Sequence, residues 1–132
     1  MAKIYAHVKG GRDDYLGRIE PESGRVYEVR RGLDRHIGRV DYNDGKVYAD
    51  RVGRDDYLGR VEAESGKVYA SRRGPDEYAG RVEEDGKVYR HVPRGRDEYL
   101  GRVKDMTHRV EGAAGMFFFF NETAASETAA DA

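Results

Sequence analysis

The chain has no cysteine, no tryptophan and three prolines in 132 residues. Without cysteine there is no disulfide framework, no thiolate metal site and no cysteine nucleophile. No stretch of about 18 apolar residues occurs, so no helical membrane span is expected. The N-terminal "MAKIYAHVKG" lacks the apolar segment of a secretory signal, which makes the cytoplasm the default expectation. An excess of charge is missing too: 24 basic and 25 acidic residues are interspersed to a net charge of -1. A surface that tracks phosphates needs a one-signed basic field, so nucleic acid is not an expected partner.

Apolar residues are scarce as well. Leu, Ile, Val and Phe number 24 of 132, below the fifth at which a highly charged chain would be disordered. Here the near-zero net charge removes self-repulsion, and ten tyrosines add contact area. A single folded domain is therefore expected, provided the few apolar residues are well placed.

What is present is a repeat. Gly-Arg-Val or Gly-Arg-Ile begins at Gly17, Gly38, Gly59, Gly80 and Gly101, a constant step of 21 residues. A second motif, Gly-Arg/Lys-Val-Tyr, begins at Gly24, Gly45, Gly66 and Gly86, and its fifth copy, from His108, is degenerate. "KIYAHV", near the N-terminus, repeats only the second half of the unit. Each unit reads as two short strands rich in Val and Tyr. "EPESG", "DYNDG", "EAESG" and "EEDG" read as hairpin turns closed by a glycine able to adopt positive φ. "RRGLDR", "VGRDD", "RRGPDE" and "PRGRDE" read as tight surface turns.

Pairing the third hairpin about its turn sets Val61 opposite Val68, Arg60 opposite Tyr69 and Gly59 opposite Ala70. Strict alternation then gives one face Tyr57, Gly59, Val61, Val68 and Ala70, and the other Leu58, Arg60, Glu62 and Tyr69. The fold class is all-β, an antiparallel meander of five hairpin repeats over residues 1–111. Its ends have a means of closure. If "KIYAHV" pairs with the fifth first-type strand, 99–104, all five units are complete and ten strands form a barrel or prism. The alternative is an open, twisted single-layer sheet with two exposed edges.

All four phenylalanines, Phe117, Phe118, Phe119 and Phe120, fall in the segment 112–120. That segment can cap the apolar face of the repeat, pair chains across an oligomer interface, or aggregate if left free. The remaining stretch, 121–132, is small, polar and acidic and is expected to be a disordered tail.

The candidate ligand-binding residues are two ladders. Arg18, Arg39, Arg60, Arg81 and Arg102 recur at one position and could meet a polyanion or carboxylates. Tyr27, Tyr48, Tyr69 and Tyr89 recur at another and could stack sugars. Against this stands cross-strand packing of Arg on Tyr, which would make both ladders structural. The acidic pairs at Asp13, Asp55, Asp76 and Asp97 suit turns better than calcium, since none carries a full loop of oxygen ligands. His7, His36, His91 and His108 lack metal-ligand spacing. No metal or cofactor is therefore expected. Catalysis needs an asymmetric constellation, and the departures from the pattern that stand out for it are His36, which replaces a Tyr, and His108, which replaces a Gly.

"GRVEEDGKVYRHVPRGRDEYLGRV" resembles the hairpins of choline-type cell-wall-binding repeats, and "DEYLGRV" is similar to the Tyr-x-x-Gly-Arg core of YD repeats with one residue missing. Both resemblances span Lys3 to Val110 as a pattern. The tryptophans that form choline sites in the first family are absent, and YD repeats build far longer shells. What the resemblance implies is a repetitive, noncatalytic β scaffold. The expected role is a binding or assembly module, not an enzyme, with a carbohydrate or anionic polymer as ligand. The alternative is a structural or self-oligomerising element joined through the Phe segment or the edge strands.

Overall fold

The computed structural model describes residues 1–52, 54–71 and 74–120. The segment 121–132, expected to be a disordered tail, lies outside the described residues. Ten strands follow in order: β1 (Ala2–Ala6), β2 (Asp14–Ile19), β3 (Arg25–Arg30), β4 (Leu33–Asp41), β5 (Lys46–Arg51), β6 (Arg54–Val61), β7 (Lys67–Ala70), β8 (Glu77–Val82), β9 (Lys87–Arg90) and β10 (Glu98–Lys104). A helix, α1 (Arg109–Gly115), and a π-helical turn, Met116–Phe120, complete the described chain.

The sheet is closed. Each strand pairs antiparallel with its sequence neighbours, and β1 returns to β10 with Lys3 opposite Lys104 and Ala6 opposite Gly101. The N-terminal half-repeat thus completes the fifth unit, and the open sheet is excluded. The degenerate fifth motif does not form a strand. Its residues cap and begin α1 instead: the His108 side chain accepts from Val110 N at 2.9 Å, and Glu111 reaches back to His108 N. This is a capping box, which satisfies backbone donors that the start of a helix leaves unpaired.

The hairpin turns link neighbouring units. Gly24, Gly45, Gly66 and Gly86 have φ between 71° and 92°, a region that side chains disfavour. Their carbonyls accept from the next unit, Gly24 from Val40 N at 2.8 Å and Gly86 from Val103 N at 2.8 Å. A Cβ at Gly24 would also run into the Val40 carbonyl. Glycine is needed here twice over, for conformation and for space.

Every first-type strand bulges immediately before its repeat glycine. Against β5 the register passes from Val47↔Gly59 to Tyr48↔Tyr57, leaving Leu58 unopposed. The same step skips Leu16, Ile37, Ala79 and Leu100 in the other units. An extra residue reverses the alternation beyond it. The expected faces are therefore corrected at two positions: Tyr57 joins the outer surface, where it meets Tyr48, and Leu58 packs against the core. The pairs Val61↔Val68, Arg60↔Tyr69 and Gly59↔Ala70 stand as expected.

Inside, barrel and plug are complementary layer by layer. One β-branched residue per strand, from Ile4 in β1 to Val103 in β10, forms a ring at most 5% exposed. The narrowest part of the plug, Gly112-Ala113-Ala114-Gly115, fills that ring, and a Cβ on Gly112 would strike Val82. One layer further, the barrel narrows its own side chains to the five repeat glycines and the plug widens to Met116–Phe120. Met116 faces Gly80, Phe117 faces Gly59, Phe118 faces Gly38, Phe119 faces Gly17 and Phe120 faces Gly101. Five successive residues visit the five units in ring order. An α-helix turns about 100° per residue, whereas a five-fold ring asks for about 72°, so a widened turn with i→i+5 bonding suits the task.

Candidate functional site

Two surfaces carry the chain's polar chemistry: a girdle around the barrel and the end at which the plug stops. In the girdle each unit builds the same cluster. Arg18, Arg39, Arg60 and Arg81 lie over Tyr27, Tyr48, Tyr69 and Tyr89, with guanidinium carbons 4.1–4.4 Å from the ring centroids. Arg102 covers Tyr5 at 5.3 Å, because β1 supplies the missing fifth tyrosine. The first four arginines also pair with the aspartate sixteen positions on. Arg18 Nε bonds Asp34 at 2.9 Å, Arg39 Nε bonds Asp55 at 2.7 Å, Arg60 meets Asp76 at 3.3 Å, and Arg81 pairs with Asp97. The ring closes where Arg102 reaches Asp13 at 3.2 Å.

A second aromatic row, Tyr15, His36, Tyr57, Tyr78 and Tyr99, packs beside the first with centroids 5.4–5.8 Å apart. The acidic pairs noted in the turns thereby acquire a role, since their first members are the girdle carboxylates.

The electrostatics of the girdle are those of closed ion pairs. The hydrogen bond to Asp34 raises the Arg18 guanidinium above its ordinary value, and Asp55 does the same to Arg39. Tyr57 is pushed up to about 12, first by burial and then by its 3.0 Å hydrogen bond to Asp76. The predicted Arg and Tyr ladders are thus brought together, but with each other and with aspartates.

The predicted Phe residues are placed in the barrel lumen, 5–9% exposed. Near the plug's entry Glu111 is fully buried, and it accepts from Tyr42 Oη at 2.8 Å and from Thr107 N at 2.7 Å. Both effects on Tyr42, burial and this carboxylate, hold its hydroxyl well above the ordinary range. Arg109 fixes the entry by donating to the carbonyls of Ala63 and Glu64 at 2.8 and 2.6 Å. The hairpin turns at this end bear exposed Glu22, Asp44, Glu64 and Glu84.

At the opposite end lie the connections between units and the last turn of the plug. Arg12, Arg31, Arg35, Arg54, Arg94 and Arg96 are exposed there, without an ion-pair partner among the described residues. Two clefts open between these connections, both floored by the plug. One, about 200 Å³, is lined by Ala79, Arg90, His91, Met116 and Phe120. The other, about 320 Å³, is lined by Arg35, His36, Arg51, Leu58, Phe117 and Phe118. His36 sits 3.4 Å from Asp50, and His91 lies 3.5 Å from Asp97.

Reading the sequence for ladders missed the arginines of this end, because they do not recur in every unit: Arg12, Arg54 and Arg96 stand in alternate units, and Arg31 and Arg94 three units apart. Arg35 was legible: it stands where the other units have Asp14, Asp56, Glu77 and Glu98. No helix among the described residues is long and apolar enough to cross a membrane. Comparison of the chain with protein-family models, with curated proteins and with solved structures returns no match.

Proposed function

We infer that this protein is a noncatalytic binding module that engages an anionic polymer through the arginine-rich end of the barrel. One observation carries the reading: the girdle arginines are neutralised by aspartates, whereas Arg12, Arg31, Arg35, Arg54, Arg94 and Arg96, exposed at this end, have no ion-pair partner among the described residues. Guanidiniums without an ion-pair partner among the described residues offer forked donors to carboxylate, sulfate or phosphate groups. The repetition of the girdle clusters argues against a catalytic centre among them, since catalysis needs groups in unlike roles.

Calorimetric titration with heparin and with polyglutamate tests it. Binding is expected to weaken steeply between about 50 and 200 mM salt. It should fall in the variant Arg12→Ser/Arg54→Ser/Arg96→Ser and persist in Arg39→Gln, which touches only the girdle. No binding of either polymer at the lower salt would sink the reading.

A further inference from the structure

The second unit departs from the others at two adjacent positions, and both departures face one cleft. Four units carry an acid followed by Tyr before the bulge: Asp14-Tyr15, Asp56-Tyr57, Glu77-Tyr78 and Glu98-Tyr99. The second carries Arg35-His36, and both residues line the 320 Å³ cleft over Phe117 and Phe118. A repeat preserves what the barrel needs, so two neighbouring exceptions in one cavity need a local cause. Their chemistry is coherent: an acid gives way to a guanidinium, and a phenol to an imidazole.

The charges around the cleft leave Arg35 uncommitted. Glu28 lies opposite Arg35 in register but pairs with Arg30. Asp50 is drawn to His36 at 3.4 Å, and Arg51 to Asp56 at 3.6 Å. Below the charged rim the surface turns apolar, with Ile37, Ala49 and Leu58 on the walls and the two phenylalanines beneath. The volume lies at the lower bound of small-molecule sites, about 300–1,000 Å³, which the 200 Å³ cleft does not reach.

We propose that this cleft binds a small amphiphilic anion, a carboxylate or sulfonate carried on an apolar ring, with the anion on Arg35 beside His36 and the ring over Phe117 and Phe118. The site rests on the reading of the arginine-rich end as the binding end and gives it a specific anchor. The ring displaces water from an aromatic floor, while the anion meets a guanidinium that no ion pair among the described residues occupies.

Titration of the full ¹⁵N-labelled chain with phenylacetate tests the site. Saturable shifts are expected at Arg35, His36, Leu58 and Phe118, and neither acetate, which lacks the ring, nor benzyl alcohol, which lacks the charge, should reproduce them. The variant Glu28→Ala/Arg35→Asp/His36→Tyr gives the β3–β4 pair the residues that the β5–β6 pair carries at Ala49, Asp56 and Tyr57, so it should fold while losing at least about tenfold in affinity, roughly one factor of ten per 1.4 kcal/mol. Arg35→Gln alone should weaken binding in the same direction. Shifts spread evenly over the connections, or unchanged affinity in both variants, would overturn the proposal. Heparin binding without phenylacetate binding would overturn the cleft and leave the basic end standing. Phenylacetate binding with its response to Arg35 but without heparin binding would support the cleft and remove the polymer reading.

Discussion

The inside and the outside of this barrel answer the same five-fold repeat in different ways. Outside, the repeat completes itself: the arginine of one unit stacks on that unit's tyrosine and pairs with the next unit's aspartate, until Arg102 reaches Asp13. Inside, the repeat supplies five glycines and therefore five vacancies. A segment that occurs once in the chain, Met116–Phe120, fills them. The difference follows from geometry. A girdle can be written by repetition because neighbouring clusters touch only each other, whereas side chains converging on an axis must share one small volume, which a single central element fills best.

Breaking the inside should have the largest effect. Phe118→Ala removes a ring that rests on Gly38 and should destabilise the protein by about 3–5 kcal/mol, which denaturant unfolding will read. A loss below about 1 kcal/mol would mean that the plug does not hold the barrel. Next comes overfilling. In Gly38→Ala the new methyl would come within 3 Å of both Phe118 and the Tyr48 carbonyl, a clash expected to cost about 1–3 kcal/mol. Adding Phe118→Leu should recover only part of that loss, because the carbonyl remains.

The outside should respond least. Asp76 serves both Arg60 and the Tyr57 hydroxyl, yet Asp76→Asn removes a half-buried pair at the surface and should cost only about 1 kcal/mol. The same variant has a sharper spectroscopic readout. Folding raises Tyr57 from 10.0 to about 12, so the folded state holds its proton where the unfolded chain releases it. Its contribution to stability is complete below pH 10, falls as the pH rises towards 12, and is gone above that. Tyrosinate absorbance should show Tyr57 titrating late in the parent chain and earlier in Asp76→Asn, where the second cause of the shift is removed. Identical titration curves would place the whole shift on burial.

The repeat, the all-β class and the closure were legible because they rest on local chemistry: turn glycines at fixed offsets, alternating Val and Tyr, and an unpaired half-unit at one end. The bulges were not legible. Tyr57 and Leu58 alternate perfectly in the sequence, and only the demand that each strand bend around a filled lumen places the extra residue and turns Leu58 inward. The Arg and Tyr ladders were visible as ladders. That each girdle arginine is already occupied depends on an aspartate sixteen residues on, or for Arg102 near the other end of the chain, distances at which sequence alone carries no geometry.

The sequence by itself determined the unit, its number and its turns, since a glycine with positive φ or a β-branched residue on a pleated strand acts within a few residues. Tertiary structure alone decided where the phenylalanines go and which arginines remain unpaired among the described residues. Both depend on closing the sheet: closure creates a lumen with five glycine-lined vacancies, gathers the hairpin turns at one end, and sets Arg35 and His36 above an aromatic floor built from the far end of the chain.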